Sequence, residues 1–172
     1  MAIRPIVKWG ESVLHEPSAL VPEVTDDIRK LLDEMHETMI AAPGIGLAAP
    51  QIGVPLRVII VDLSVGKDPA QLIELINPEF ISREGEVKDE EGCLSVPGYV
   101  GSPVRPKFVR VKGLARDGSE RVHEGEGLLA VAFCHEIDHI EGKLFVDRLT
   151  PLKRDLMVRK LRKRHKYNDW DE

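Results

Sequence analysis

The sequence predicts a single α+β domain, with antiparallel or mixed strands packed around a central buried helix and a further helix at the C-terminus. Three observations carry that expectation. The stretch LLAVAFCHEIDH, residues 128–139, opens with seven uncharged residues and shows no polar face, as in a helix buried all round. Short β-branched or alternating runs, bounded by Gly, Pro and Asp, recur between residues 56 and 124, the pattern of strands joined by turns. Neither an internal repeat nor a long linker divides the 172 residues, which suffice for one core.

Residues 1–24 read as an irregular arm, punctuated by Pro5, Pro17 and Pro22. Thr25 suits a helix N-cap, and Asp26 and Asp27 suit the first turn, where the helix dipole favours negative charge. Ile28, Leu31, Leu32, Met35 and Met39 then form an apolar stripe at helical spacing. That helix should end before Pro43, because a residue preceding proline avoids the α region. Residues 44–55, GIGLAAPQIGVP, hold three glycines and two prolines and read as an irregular loop. Gly44, Gly46 and Ala49 formally fit a dinucleotide fingerprint, but such a fingerprint follows a strand and opens a helix. Here a helix precedes it and Pro50 opposes one. Backbone approaching a ligand closely is the better account, with Gln51 offering both an amide donor and an acceptor.

Residues 56–63, LRVIIVDL, predict a strand, and residues 64–69 a turn. A second strand region spans 71–83, interrupted at Asn77-Pro78, and a turn at Glu84-Gly85 leads into a short strand at 86–89. Residues 90–99 read as a loop with a turn at Pro97-Gly98. Residues 107–115 and 120–124 predict a hairpin about Arg116-Asp117-Gly118-Ser119. The central helix closes near Gly142, and Thr150-Pro151 opens the last helix as N-cap and first residue. Residues 1–152 are expected to form the body, and residues 153–172 a basic helix and tail that extend the same domain.

A hydrophobic content of 42% and a charged content of 31% are ordinary for globular chains. The N-terminus lacks the apolar core of a signal peptide, and no stretch approaches the length of a membrane span. Cys93 and Cys134 are too few for a disulfide scaffold, so a reducing, cytoplasmic location is expected. The net charge of −5 hides an asymmetry. Residues 153–166 carry eight Lys or Arg and one acid, whereas residues 1–152 sum to −9. An acidic body with a basic tail points to a partner.

His135 and His139 stand four apart at the end of the buried helix, on one face, with Glu136 roughly 100° round. Imidazoles and a carboxylate are costly there unless satisfied. A divalent metal held by the histidines, with Glu136 as a base toward water, would satisfy them; H-E-x-x-H on a helix is the pattern for that chemistry. Two partly exposed histidines with a solvated Glu would be the plainer account. A third ligand is needed. It could be a downstream His or Glu, or a cysteine. Cys134 points about 100° from the His face. Cys93 lies in a loop after Gly92 and offers a good thiolate, although a small buried hydrophobe would look the same in sequence.

GIGLAAPQ (44–51), EGCLS (91–95) and HEIDH (135–139) resemble, in order and separation, the three signature motifs of peptide deformylases. The resemblance covers nearly the whole chain. It implies Cys93, His135 and His139 as metal ligands and Glu136 as general base and later acid. It implies Gln51 and the Leu94 N–H as oxyanion donors, and Gly46 as backbone that holds the substrate as an added strand. The implied reaction takes the formyl group from the N-formyl-methionyl end of nascent peptides, leaving formate and a free amino terminus. Ferrous iron is the implied ion, with zinc, nickel or cobalt as replacements. Some bacterial members dock on the ribosome through a C-terminal helix, which the basic run at Lys153–Lys166 would suit; neither a membrane nor a specific DNA site is expected.

The methionine side chain needs an apolar pocket. Ile45, Leu128, Val131 and Ala132 are the lining candidates, the last three sharing a helix face with His135, though plain core packing would also use them. The chain departs from the family pattern at Val13-Leu14-His15, without an expected Arg, and at Tyr99-Val100-Gly101, where many bacterial members carry another. Glu91 could pair instead with Arg105 as a buried ion pair. An HExxH peptidase, or a non-catalytic metal-stabilised binding module, would share the helix. The peptidase would need a different third ligand, and the module would tolerate loss of Glu136.

Overall fold

A computed structural model describes residues 2–170. Three helices and seven strands follow one another: α1 (Asp26–Ala41), β1 (Gly46–Ala48), β2 (Val58–Val61), β3 (Ile73–Glu84), β4 (Glu91–Gly92), β5 (Val100–Gly101), β6 (Phe108–Leu114), β7 (Glu120–Glu126), α2 (Leu128–Ile140) and α3 (Pro151–Tyr167). The α+β expectation holds, and both sheets are antiparallel: β1-β2-β3-β6-β7, and the small pair β4-β5.

The VIIV run of β2 is buried on both faces because a helix covers each side. Val58 and Ile60 face the α1 stripe of Ile28, Leu31, Leu32, Met35 and Met39. Ile59 and Val61 face α2 through Ala130, Phe133, Ile137 and Ile140. A third apolar cluster joins Leu14 of the N-terminal arm to Phe145, Val158 and Leu161, tying α3 to the body. Thr25 caps α1 by accepting from the Ile28 N–H at 3.4 Å. Gly142, at φ 80°, closes α2; a Cβ there would meet the His15–Glu16 backbone within 3.0 Å.

Several expectations need correction. Residues 44–55 are not wholly irregular: β1 pairs with β2, and a 3-10 turn follows at Ala49–Ile52. Pro50 fits that turn because its first N–H groups need no partner. The strand expected at 56–63 contracts to β2. Asn77-Pro78 does not interrupt β3; it makes a register shift, with Asn77 at φ 54°. The strand expected at 86–89 is a single bridge, Val87 with Arg105. Within the expected 90–99 loop, Glu91–Gly92 pairs with Val100–Gly101. Leu128 is exposed rather than buried, and Thr150 makes no side-chain cap bond. On α3 the buried residues are Val158 and Leu161, while Leu156 is exposed.

Candidate active site

The C-terminal half of α2 delivers His135, Glu136 and His139 to the inner end of a cavity of about 670 Å³. From the opposite side come Cys93 and Leu94, just after β4, and Ile45, Gly46 and Gln51, around β1. Leu128, Val131 and Ala132 line the outer wall, so every expected pocket residue borders this one space. His139 lies behind it and is fully buried, its Nε2 3.3 Å from Cys93 Sγ. One ligand atom from each of Cys93, His135 and His139 lies within 4.8 Å of the others. Cys134, the other cysteine, is buried among Ala130 and Ala132 and its thiol is pushed up to about 11 by burial.

The donors are well supported. Glu91 accepts from Arg105 Nε at 2.8 Å and Nη2 at 2.9 Å, the ion pair suggested by the sequence. Its Oε1 also lies 2.9 Å from His135 Nδ1, which leaves Nε2 of that ring for a ligand. Burial opposes ionisation of Glu91, but His135 and Arg105 overcome it and hold the carboxyl below its usual range. Burial also opposes a charge on His135; the Cys93 sulfur and Glu91 outweigh it and raise its pKa well above the usual value. His139 moves the other way, through burial and then the neighbouring His135.

Glu136 differs from these groups. It is buried, its Oε1 has no hydrogen-bond partner among the described residues, and burial pushes its pKa up to about 7. Its Oε2 lies where a Cβ on Gly46 would come within 2.5 Å, so the first residue of β1 must be glycine for the carboxylate to fit. Gln51 is held by its carbonyl, which accepts from the Ala48 N–H at 3.0 Å. Its amide Nε2 donates to Ser95 Oγ at 3.2 Å and stands 3.6 Å from Cys93 Sγ.

Sequence reasoning missed two supports. Asp138 accepts from Arg105 Nη1 at 2.6 Å and from Arg148 Nη2 at 2.9 Å, extending the Glu91 pair into a buried network. A second acid inside HEIDH, on a buried helix, was the available signal. Ser95, which steadies Gln51, sits in EGCLS, but its partner lies 44 residues away. The donor set fits a divalent ion: one sulfur and two imidazoles would suit zinc or ferrous iron, with His139 offering the Nε2 that faces Cys93, and the neighbouring Glu136 Oε1 has no partner among the described residues.

Comparison with known proteins agrees with this geometry. A family model described as polypeptide deformylase matches residues 3–155. The peptide deformylase of Acidobacterium capsulatum is 48% identical over 170 residues, 99% of this chain and 100% of its own. That of Carboxydothermus hydrogenoformans is 54% identical over 160 residues, 93% of this chain and 99% of its own. The crystal structure of a peptide deformylase from Legionella pneumophila superposes with a TM-score of 0.89 at 44% identity, covering 99% of this chain and 100% of that one. The chain therefore belongs to the polypeptide deformylase family.

Proposed function

We propose that Cys93, His135 and His139 hold one divalent ion and that Glu136 moves protons beside it. The chain is a metal-dependent hydrolase of protein biosynthesis that removes the N-formyl group from newly made polypeptides, releasing formate. When bound, the ion supplies a Lewis acid that lowers the pKa of coordinated water toward neutrality. Glu136 accepts the proton of the attacking water and returns one to the leaving nitrogen, serving first as general base and then as general acid. The Gln51 amide and the Leu94 N–H meet the oxyanion that develops on the formyl oxygen. The substrate backbone lies along the outer edge of β1 at Gly46, as an added strand. Ile45, Leu128, Val131 and Ala132 receive the methionine side chain. Ferrous iron is the ion we propose in the cell, with zinc, nickel or cobalt able to replace it. A nascent-chain substrate supports a cytoplasmic location.

The unpartnered Glu136 oxygen at the cavity wall carries this assignment. Its test is formate release from formyl-Met-Ala-Ser. Glu136→Ala should lower turnover by about 10²–10⁴-fold while one metal per chain remains by elemental analysis of anaerobically purified protein. A variant with the wild-type rate would end the assignment. The same measurement on Cys93→Ala separates this chemistry from an HExxH peptidase.

Docking of the basic α3 on the ribosome belongs with this substrate. Residues 1–152 then act as the catalytic body, and residues 153–172 as an extension of the same domain. Arg159, Arg162 and Lys166 face away from the body and are exposed. Deleting 153–172 would strip Val158 and Leu161 from the core, so charge reversal of the three outward residues is the cleaner test. Co-sedimentation with ribosomes should fall, and its salt dependence should flatten.

A further inference from the structure

Three cavities lie end to end along one side of the molecule. The active-site cavity is followed by one of about 400 Å³ and another of about 300 Å³, both against α3. Tyr99 lines all three; Glu90 and Val100 border the first two, and Lys160 the second and third. Together they make a groove that leaves the active site across Tyr99 and Val100. One face of α3 forms its wall: Lys153, Leu156, Met157, Lys160, Lys163 and Tyr167 recur at three- and four-residue spacing. Leu156 and Val100 are exposed apolar surface within it. Lys153, Lys160 and Lys163 form no ion pair among the described residues. Arg164 is engaged, with Nε 3.2 Å from the Tyr99 hydroxyl and its guanidinium over the Tyr99 ring. The acids bordering the two outer cavities are Glu90, at the active-site end beside Asp89, and Asp169, at the far end.

We propose that this groove binds the downstream part of the substrate and makes the protein favour formyl-peptides that are acidic there. The proposal rests on the deformylase reading of the site. The first cavity, which Gly46 of β1 lines, shares Glu90, Tyr99 and Val100 with the second, so a chain seated on β1 can continue from one into the other. The next surface it meets is continuous with that cavity, partly apolar, and lined by unpaired ammonium groups. Lys153 to Lys163 spans about 15 Å at 1.5 Å per residue. At about 3.3 Å per residue, that accommodates four or five extended residues, or roughly positions five to nine of the peptide. A peptide fits this surface better than RNA does, because the lining is continuous with the peptide site and half of the α3 wall is apolar. The outward residues Arg159, Arg162 and Lys166 lie on the other side of α3, so ribosome docking and peptide binding use different faces.

The test compares kcat/KM for formyl-Met-Ala-Ser with that for nine-residue formyl peptides carrying either Glu or Lys at positions five to nine. At low salt the acidic peptide should exceed the basic one by about tenfold, roughly 1.4 kcal/mol. The difference should vanish near 1 M salt, where the screening length falls to about 3 Å. Lys153→Glu combined with Lys160→Glu should reverse the order of the two long peptides; Arg159→Glu with Lys166→Glu should leave their ratio unchanged. Equal rates for acidic and basic peptides at low salt would overturn the proposal, and so would a preference that survives the Lys153/Lys160 reversal. Failure to release formate even from formyl-Met-Ala-Ser would instead sink the deformylase reading, and the groove with it.

Discussion

The helices α2 and α3 handle charge in opposite ways. On α2, ten of thirteen residues are buried, among them Glu136, Asp138 and His139. On α3, seventeen residues long, only Val158 and Leu161 are buried, and the basic side chains are mostly in water. Desolvation decides the difference. A buried charge must find a partner or become costly, so each polar group on α2 has a specific counterpart. Asp138 has two arginines, and His135 has Glu91 and faces Cys93. Among the described residues the atoms of α2 left without a partner are Glu136 Oε1 and His139 Nδ1, and Glu136 is the group to which we assign the proton transfers. Most charges on α3 are solvated; Arg154, paired with Asp147, and Arg164, against Tyr99, are the half-buried ones.

The strongest way to break this contrast is Arg105→Met. It leaves Glu91 and Asp138 buried without their shared cation and should cost about 3–5 kcal/mol in urea unfolding. His135 would also lose the anchored Glu91 that orients it, so metal affinity should fall about 10–100-fold. Stability within 1 kcal/mol of wild type would mean that the network is not what keeps α2 charged.

Gly46→Ala tests the neighbourhood of the one unpartnered acid. The added methyl would press on Glu136 Oε2, and a displacement of about 1 Å should lower kcat/KM about 10²-fold with a smaller change in melting temperature. Unchanged kinetics would show that the carboxylate has room to move. The smallest effect belongs to α3. Single reversals at Arg159, Arg162 or Lys166 should each stay within about 0.5 kcal/mol of wild-type stability. A larger loss at any of them, read by thermal unfolding, would give that charge a structural partner on the body.

How much was legible in the sequence follows the same division. α1 was readable because Thr25, the acidic first turn and the apolar stripe all agree locally. The β6-β7 hairpin was readable from its turn, and α2 from its continuous apolar run. The metal-type donors were visible as residue types, and Cys93 stood out once its motif was set beside the other two. The continuity of β3 was not visible. Asn77 holds its bulge by bonding both the N–H and the C=O of Val21, 56 residues away. Nor was β1: a Gly- and Pro-rich segment becomes a strand only because β2 is there to pair with it. The Arg105–Asp138–Arg148 network and the Ser95 support of Gln51 are likewise made by packing distant segments together.

The five-stranded sheet has two free ends, and they face different hazards. An exposed strand edge invites pairing with any extended chain, including another copy of the protein. At β7 the edge carries Glu120, Glu124 and Glu126, so a neighbouring sheet would have to accommodate their charge. At β1 no such guard is available, because charges there would also repel a guest peptide. Brevity protects it instead. After three residues the backbone turns away at Pro50, which has no N–H to offer. In the binding mode we propose, this edge seats the first residues of a nascent chain, yet it is too short to seed a growing fibril.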